Sequence, residues 1–217
     1  MFQNRQDAGG KLADKLKDYK NKSDCIVVAL PRGGVVIGAE IAGELNLPLD
    51  IIAVKKLGAP QNPELAIGAV AQAGAKNIDF EMVARIGANS EYLESEIEAK
   101  FKEVDERIIK YRVRPENLLK FSEFILTDDG IATGATIRAA LNVLRNLNLP
   151  DKKQAKIILA IPVAAREVFD RLKTEAEENV VLEVSEEFGA VGQFYQEFAQ
   201  VDDSTVIKLL NKYRRYK

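Results

Sequence analysis

No histidine occurs among the 217 residues, and that absence excludes more chemistry than any other count. Ser-His-Asp and Cys-His nucleophilic catalysis both need an imidazole, as do the commonest zinc sites. The single cysteine, Cys25, rules out an internal disulfide and a thiolate metal cluster. It opens an apolar run and reads as a small core residue, in keeping with a reducing, cytoplasmic setting. No apolar run approaches the roughly 20 residues of a membrane helix. Residues 1–10 are polar and lack the apolar core of a signal peptide. Net charge is nearly absent too: 33 acidic residues against 31 basic ones leave no global field to recruit nucleic acid or an anionic membrane. Carboxylate, Lys/Arg, hydroxyl and backbone chemistry remain, a kit suited to phosphate-bearing substrates with Mg²⁺.

A chain of 217 residues with 47% hydrophobic content suits one large domain, 1–217, alone or with a small subdomain. Short β-branched runs alternate with helix-period segments. Ile26–Leu30, Ile51–Val54, Phe124–Leu126 and Ile157–Ile161 are near-continuous apolar strands, with Val180–Leu182 a further one. Strands buried on both faces of a parallel sheet read this way. Between them Ile37, Ile41 and Leu45 make one helical stripe, and Ile137, Leu141 and Leu144 another. The alternation predicts an α/β fold with a doubly wound, mainly parallel sheet and helices on both faces. Leu12 and Leu16 mark an N-terminal helix, and Val206, Leu209, Leu210 and Tyr213 a C-terminal one. A long amphipathic helix over Glu91–Arg112, with Asn89 or Ser90 as N-cap, carries Leu93, Ile97, Phe101, Val104, Ile108 and Tyr111 on one face. Its charged face reads as solvated, laced by i,i+4 pairs. Its apolar stripe also admits a short coiled-coil seam in a homodimer.

The segment from Phe124 to Thr136 says most about function. An apolar strand ends in Asp128 and Asp129, then turns through Gly130, Ile131, Ala132, Thr133, Gly134, Ala135 and Thr136 into a helix. Backbone N–H groups and threonine hydroxyls at a helix N-terminus favour a phosphate. Two neighbouring carboxylates, acceptors only when ionised, match adjacent ribose hydroxyls. Asp-Asp-Gly alone would be a surface turn; the strand, both acids and Thr-Gly-x-Thr in register make more of it. No Gly-Lys-Ser/Thr of a Walker loop occurs. The segment resembles the ribose-5-phosphate-binding motif of class I phosphoribosyltransferases. Phe2-x-Asn4-Arg5-x-Asp7-Ala8-Gly9, Lys56-Leu57-Gly58-x-Pro60-x-x-Pro63-Glu64-Leu65-Ala66 and Phe188-x-Ala190-Val191-Gly192-x-Phe194-Tyr195 extend the resemblance to nearly the whole chain. They are similar to a branch known as predicted phosphoribosyltransferases.

That resemblance implies transfer of ribose-5-phosphate from 5-phosphoribosyl-1-pyrophosphate (PRPP) to a small-molecule nitrogen acceptor. The reaction is Mg²⁺-dependent and passes through an oxocarbenium-like state, so no protein nucleophile is required. Asp128 and Asp129 would take the ribose hydroxyls and, directly or through water and substrate, the magnesium. Pro31-Arg32-Gly33-Gly34, after the first strand, looks like the family's pyrophosphate loop, which often carries a non-proline cis peptide. Lys55 and Lys56 leave the next strand; they are either ordinary surface charge or, by the resemblance, part of a mobile loop closing over pyrophosphate. With Asp128 and Asp129 they are the catalytic candidates. Ala132 stands where hypoxanthine-guanine enzymes usually carry an acid, which points away from a 6-oxopurine acceptor. A hood built from about residues 1–20 and 184–217 would bind the base, with Phe188 or Tyr195 as its platform, unless those aromatics simply close the core. A non-catalytic PRPP-binding regulator, and an enzyme on a related phosphorylated sugar, fit the same motif.

Overall fold

In chain order the computed structural model, which describes residues 1–150 and 154–215, begins with α1 (Arg5–Lys15), β1 (Cys25–Ala29), α2 (Gly33–Leu45) and β2 (Leu49–Ile51). An antiparallel unit follows: β3 (Val54–Ala59), β4 (Asn62–Ala71), β5 (Lys76–Ile78), then α3 (Phe80–Arg85) and α4 (Ser90–Tyr111). The chain continues with β6 (Glu123–Thr127), α5 (Ala135–Arg145), β7 (Lys156–Ala165), α6 (Arg166–Leu172), β8 (Glu178–Ser185) and α7 (Asp203–Tyr213). The main sheet is parallel throughout, in the order β2-β1-β6-β7-β8.

Its strands alternate between two cores because side chains along a strand point to opposite faces with a period of two. Val27, Ile125 and Ile158 face one core with Leu12 of α1, Ile41 of α2 and Leu210 of α7. Ile26, Val28, Phe124, Leu126 and Leu159 face the other with Ile137, Leu141 and Leu144 of α5. Each large aliphatic side chain so buried contributes about 1.5–3 kcal/mol relative to exposure. The doubly wound α/β fold expected from strand–helix alternation is the fold observed.

Two local expectations need correction. Ile51–Val54 is not one strand: β2 ends at Ile51 and β3 starts at Val54. The run stays apolar because Ile52 and Ala53 are fully buried, but Ala53 turns its backbone to Gln72, its N–H donating to Oε1 at 3.0 Å and its carbonyl accepting from Gln72 N at 3.0 Å. The chain therefore leaves the parallel sheet at this point. The expected loop from Lys55 to Leu65 is instead a hairpin of β3 and β4, with Ala59 opposite Asn62 and register shifts on either side of Gly58. A Cβ on Gly58 would lie 2.8 Å from the Pro63 carbonyl oxygen, so the crossing strand excludes a side chain there.

The α4 helix starts as predicted, Asn89 Oδ1 accepting from Tyr92 N at 2.8 Å. Its apolar stripe packs within the chain. Val104 is buried with Leu57, Ile67 and Val70 of the small sheet, and Leu93, Ile97 and Phe101 pack against them. The terminal segments assigned to a hood meet: Phe2 N–H donates to Phe194 O at 2.7 Å and Gln196 N–H to Phe2 O at 2.8 Å. Both α1 and α7 lie on the sheet face, and residues 216–217 are outside the described residues. Among the described residues no helix is long and apolar enough to cross a membrane.

Candidate active site

A parallel sheet delivers its loops to the carboxyl ends of the strands, where ligands of doubly wound folds bind. Three such segments meet here around one cavity of about 420 Å³. The loop after β6 contributes Asp128, Asp129, Gly130, Ile131, Ala132, Thr133, Gly134 and Thr136; the loop after β1 contributes Arg32 and Gly33; β3 contributes Lys55 and Lys56. Ala135 and Gly34 do not border the cavity. Ala135 is buried in the first turn of α5, and Gly34 backs onto Asp128, whose Cα would be 2.8 Å from a Cβ there.

Each loop is held from behind. Ile131 N–H donates to Val163 O at 2.9 Å and its carbonyl accepts from Ala165 N at 3.0 Å, which pins the centre of the β6–α5 loop to β7. Gly134 then takes a left-handed φ of 73° as the N-cap of α5, a conformation glycine adopts without steric cost. The first turn of α5 consequently opens towards the cavity with Thr133 and Thr136 beside it. The Pro31–Arg32 peptide is cis. Gly33 admits the closest approach: a Cβ would fall 1.9 Å from Asp129 Oδ2.

The family model for the phosphoribosyl transferase domain matches residues 2–197, most of the chain and every segment of this cavity. The chain belongs to that family. It is similar over 216 residues, at 34% identity, to two proteins from two strains of Mycobacterium tuberculosis that are provisionally named phosphoribosyl transferases. The alignment takes in 99% of this chain but 47% of those proteins, so the chain spans about half their length. The crystal structure of TT1426 from Thermus thermophilus is 36% identical, covers 98% of this chain and 99% of its own, and superposes with a TM-score of 0.73.

In this transferase domain the two motif acids have unlike environments. Asp129 Oδ2 accepts from Arg5 Nε at 2.9 Å and Nη2 at 2.8 Å, while Tyr195 donates its hydroxyl to the Asp129 carbonyl at 2.6 Å. Arg5 is itself locked by the Ala199 carbonyl at 2.8 Å and by the Phe198 ring, 3.8 Å away. Asp128 Oδ1 accepts from the Asp129 N–H at 2.8 Å. Burial, and then the charge of Asp129, push the Asp128 carboxyl well above its ordinary range, against the opposing pull of Lys56 and Arg5. Among the described residues no group of three or more His, Cys, Asp or Glu side chains forms a metal cage. A pair of oxygen ligands with open space beside it fits Mg²⁺, which keeps most of its shell as water and substrate oxygen.

Neither proposed base platform borders the cavity. Tyr195 is 5% exposed and engaged below Asp129; Phe188 packs on Phe194 at 5.1 Å between ring centroids. Tyr195 belongs to the core, and the partly exposed Phe188 packs against it. The sequence assigned no site role to Arg5, which holds Asp129 and stands in the N-terminal motif, nor to three α4 residues that border the cavity, Lys100, Glu103 and Arg107. The only trace of the α4 three in the sequence is helical spacing on a face that looked solvated.

Proposed function

We propose that the chain transfers ribose-5-phosphate from PRPP to a nitrogen acceptor, releasing pyrophosphate. The observation that carries this reading is the convergence of the β6–α5 loop, the Arg32–Gly33 loop and the lysines of β3 on one cavity. The 5-phosphate would rest on the first turn of α5, with Thr133 and Thr136 hydroxyls and loop N–H groups as donors. Asp128 and Asp129 would accept from the ribose hydroxyls. Asp129, held by Arg5, would orient; Asp128, relieved of part of its desolvation by those hydroxyls, would gain as the ligand enters. Arg32, Lys55 and Lys56 would face the pyrophosphate. Mg²⁺ held through Asp128 and Asp129 would supply charge neutralisation on the leaving group.

In the reaction the ribose C1–O bond breaks and the pyrophosphate departs with its electron pair. A C1–N bond forms, and the acceptor nitrogen then loses its proton. Nothing in this sequence demands a protein nucleophile, which agrees with a chain without histidine. Positioning and electrostatic stabilisation would carry the rate. Ala132 at the cavity wall supports an acceptor other than a 6-oxopurine.

The test is melting with PRPP and Mg²⁺, followed by pyrophosphate release across a panel of nucleobases and amines. A ligand at 100 times its Kd stabilises by about 2.7 kcal/mol, enough to shift a melting curve clearly. The Asp128→Asn/Asp129→Asn double variant should keep its fold and lose that shift. No shift for the unaltered protein at millimolar PRPP would sink the reading. A shift without release for any acceptor would favour a PRPP-binding regulator.

A further inference from the structure

The charged face of α4 is organised by position. Tyr92, Glu96, Lys100, Glu103 and Arg107 follow one another at spacings of four, four, three and four, so they share one side of the helix. Four of them, Tyr92, Glu96, Glu103 and Arg107, are engaged with β3, and Lys100 pairs with Glu103 on the helix itself. Tyr92 donates its hydroxyl to Gly58 O at 2.9 Å, and Glu96 Oε1 accepts from Gly58 N at 3.1 Å. Glu103 sits between two ammonium groups, accepting from Lys100 at 2.5 Å and from Lys55. Arg107 Nη1 donates to Val54 O at 2.7 Å and lies 3.5 Å from the carbonyl of Pro31, the residue that leads into the cis peptide.

The last three of these residues also form the cavity wall opposite the Asp128 loop. Five basic side chains border the cavity (Arg32, Lys55, Lys56, Lys100 and Arg107), against three acids, Glu103, Asp128 and Asp129. Two of those five cations come from α4. Among the described residues Arg107 is in no ion pair, although burial pushes its guanidinium pKa down. An arginine is not deprotonated in a protein, so a partly desolvated one without a carboxylate partner leaves positive potential for an anion to meet. Each ammonium has three N–H donors. Lys55 and Lys100 spend donors on Glu103 and retain others for a ligand.

We propose that α4 supplies part of the pyrophosphate subsite, with Lys100 and Arg107 contacting the pyrophosphate of PRPP and Glu103 holding Lys55 and Lys100 extended into the cavity. The inference rests on the proposed PRPP reading and deepens it. Glu103 acts through the two lysines and is a positioning residue. Glu103 resists protonation: burial would raise its pKa, but hydrogen bonds from Lys100 and Lys55 outweigh that and hold it low. The same helix face grips Gly58 in the hairpin, so β3 is tied to α4 at both its ends, at Val54 and at Gly58.

Calorimetry with two separate probes tests this: Mg²⁺-pyrophosphate and ribose 5-phosphate. Lys100→Met, which keeps the apolar stem, should weaken pyrophosphate binding about tenfold or more, the scale of one charge-assisted hydrogen bond. It should leave ribose 5-phosphate affinity unchanged, and Lys100→Arg should restore most of the loss. Glu103→Gln is the sharper arm. Removing a negative charge from an anion site should tighten pyrophosphate if Glu103 merely repels it, but should weaken it if Glu103 positions the lysines. Melting curves confirm folding, and Lys100→Gln replaces Lys100→Met should that variant fail. Unchanged pyrophosphate affinity in Lys100→Met, or tighter binding in Glu103→Gln, would overturn the inference while leaving the PRPP reading intact. Failure of the unaltered chain to bind ribose 5-phosphate as well as pyrophosphate would bring down both.

Discussion

Asp128 is a residue whose proposed chemistry and whose stability pull in opposite directions. Its carboxyl is desolvated and faces Asp129, and its pKa is raised in the folded chain. A raised folded pKa means the fold favours the protonated form. The stability this group provides is full below the ordinary carboxylate range and is lost as pH rises through the raised value. At neutral pH this carboxyl is therefore a cost to stability, which a neutral side chain of the same shape would not carry. Asparagine keeps the Oδ1 acceptor that meets the Asp129 N–H at 2.8 Å and removes the charge. Asp128→Asn should melt above the parent at pH 7, and the gap should close below a pH of about 4, where an unperturbed Asp protonates. A gain of about 1 kcal/mol moves the midpoint of a chain this size by ~2–4 °C. Parallel melts at the two pH values decide it; a lower midpoint for the variant at pH 7 would show that the charge is well solvated.

At the scale of elements, α4 joins two jobs that look separate along the chain. Its apolar stripe was legible because hydrophobic residues recur at helical spacing over more than five turns of a 22-residue helix. The partner of that stripe was not, because Pro60, Pro63 and Gly58 punctuate the hairpin as they would a loop, and Lys55 and Lys56 interrupt its alternation. Tertiary pairing overrides those local signals: Lys55 lies opposite Val70 and Lys56 opposite Ala69. Tyr92→Phe removes only the hydroxyl that caps Gly58 O. Hydrogen exchange should speed up for the amides of Gly58, Ala59, Gln61 and Asn62 while β1 and β6 keep their protection, since one such bond contributes about 0.5–1.5 kcal/mol. Unaltered exchange at the hairpin would mean that strand pairing alone holds it.

Across the whole molecule, the C-terminal helix is held by its core residues Val206 and Leu210 and by an arginine at its end. Arg214 donates to Asp50 Oδ1 from Nη2 at 2.7 Å and from Nε at 3.1 Å, and to the Tyr111 carbonyl at 2.6 Å. The Asp50 side chain is 1% exposed and that of Arg214 15%, so the pair lies largely out of solvent. Arg214→Ala should cost about 1.5–3 kcal/mol, the range for losing a hydrogen bond to a charged group. Urea unfolding would show it as a lower midpoint at an unchanged m-value. A loss below about 1 kcal/mol would show that water reaches Asp50. The same long-range logic fastens Asp129 through Arg5, so the termini stabilise the site from outside the motif.

Properties carried by neighbouring residues could be read directly from the chain. Strand and helix periods specify the two faces of the sheet, and the β6–α5 loop is legible because its acids, glycines and threonines are contiguous from Asp128 to Thr136. Properties carried by pairs far apart needed the folded molecule. Arg5 reaches Asp129 across 124 positions and Lys55 reaches Glu103 across 48, and no period or local propensity encodes such a meeting. Phe188 and Tyr195 show the same limit from the other side: an aromatic near acids and glycines has one sequence signature whether it stacks a ligand or fills a core. Placement distinguishes the two cases, and placement belongs to the packed chain: Tyr195 is buried in the core and Phe188, partly exposed, packs against Phe194.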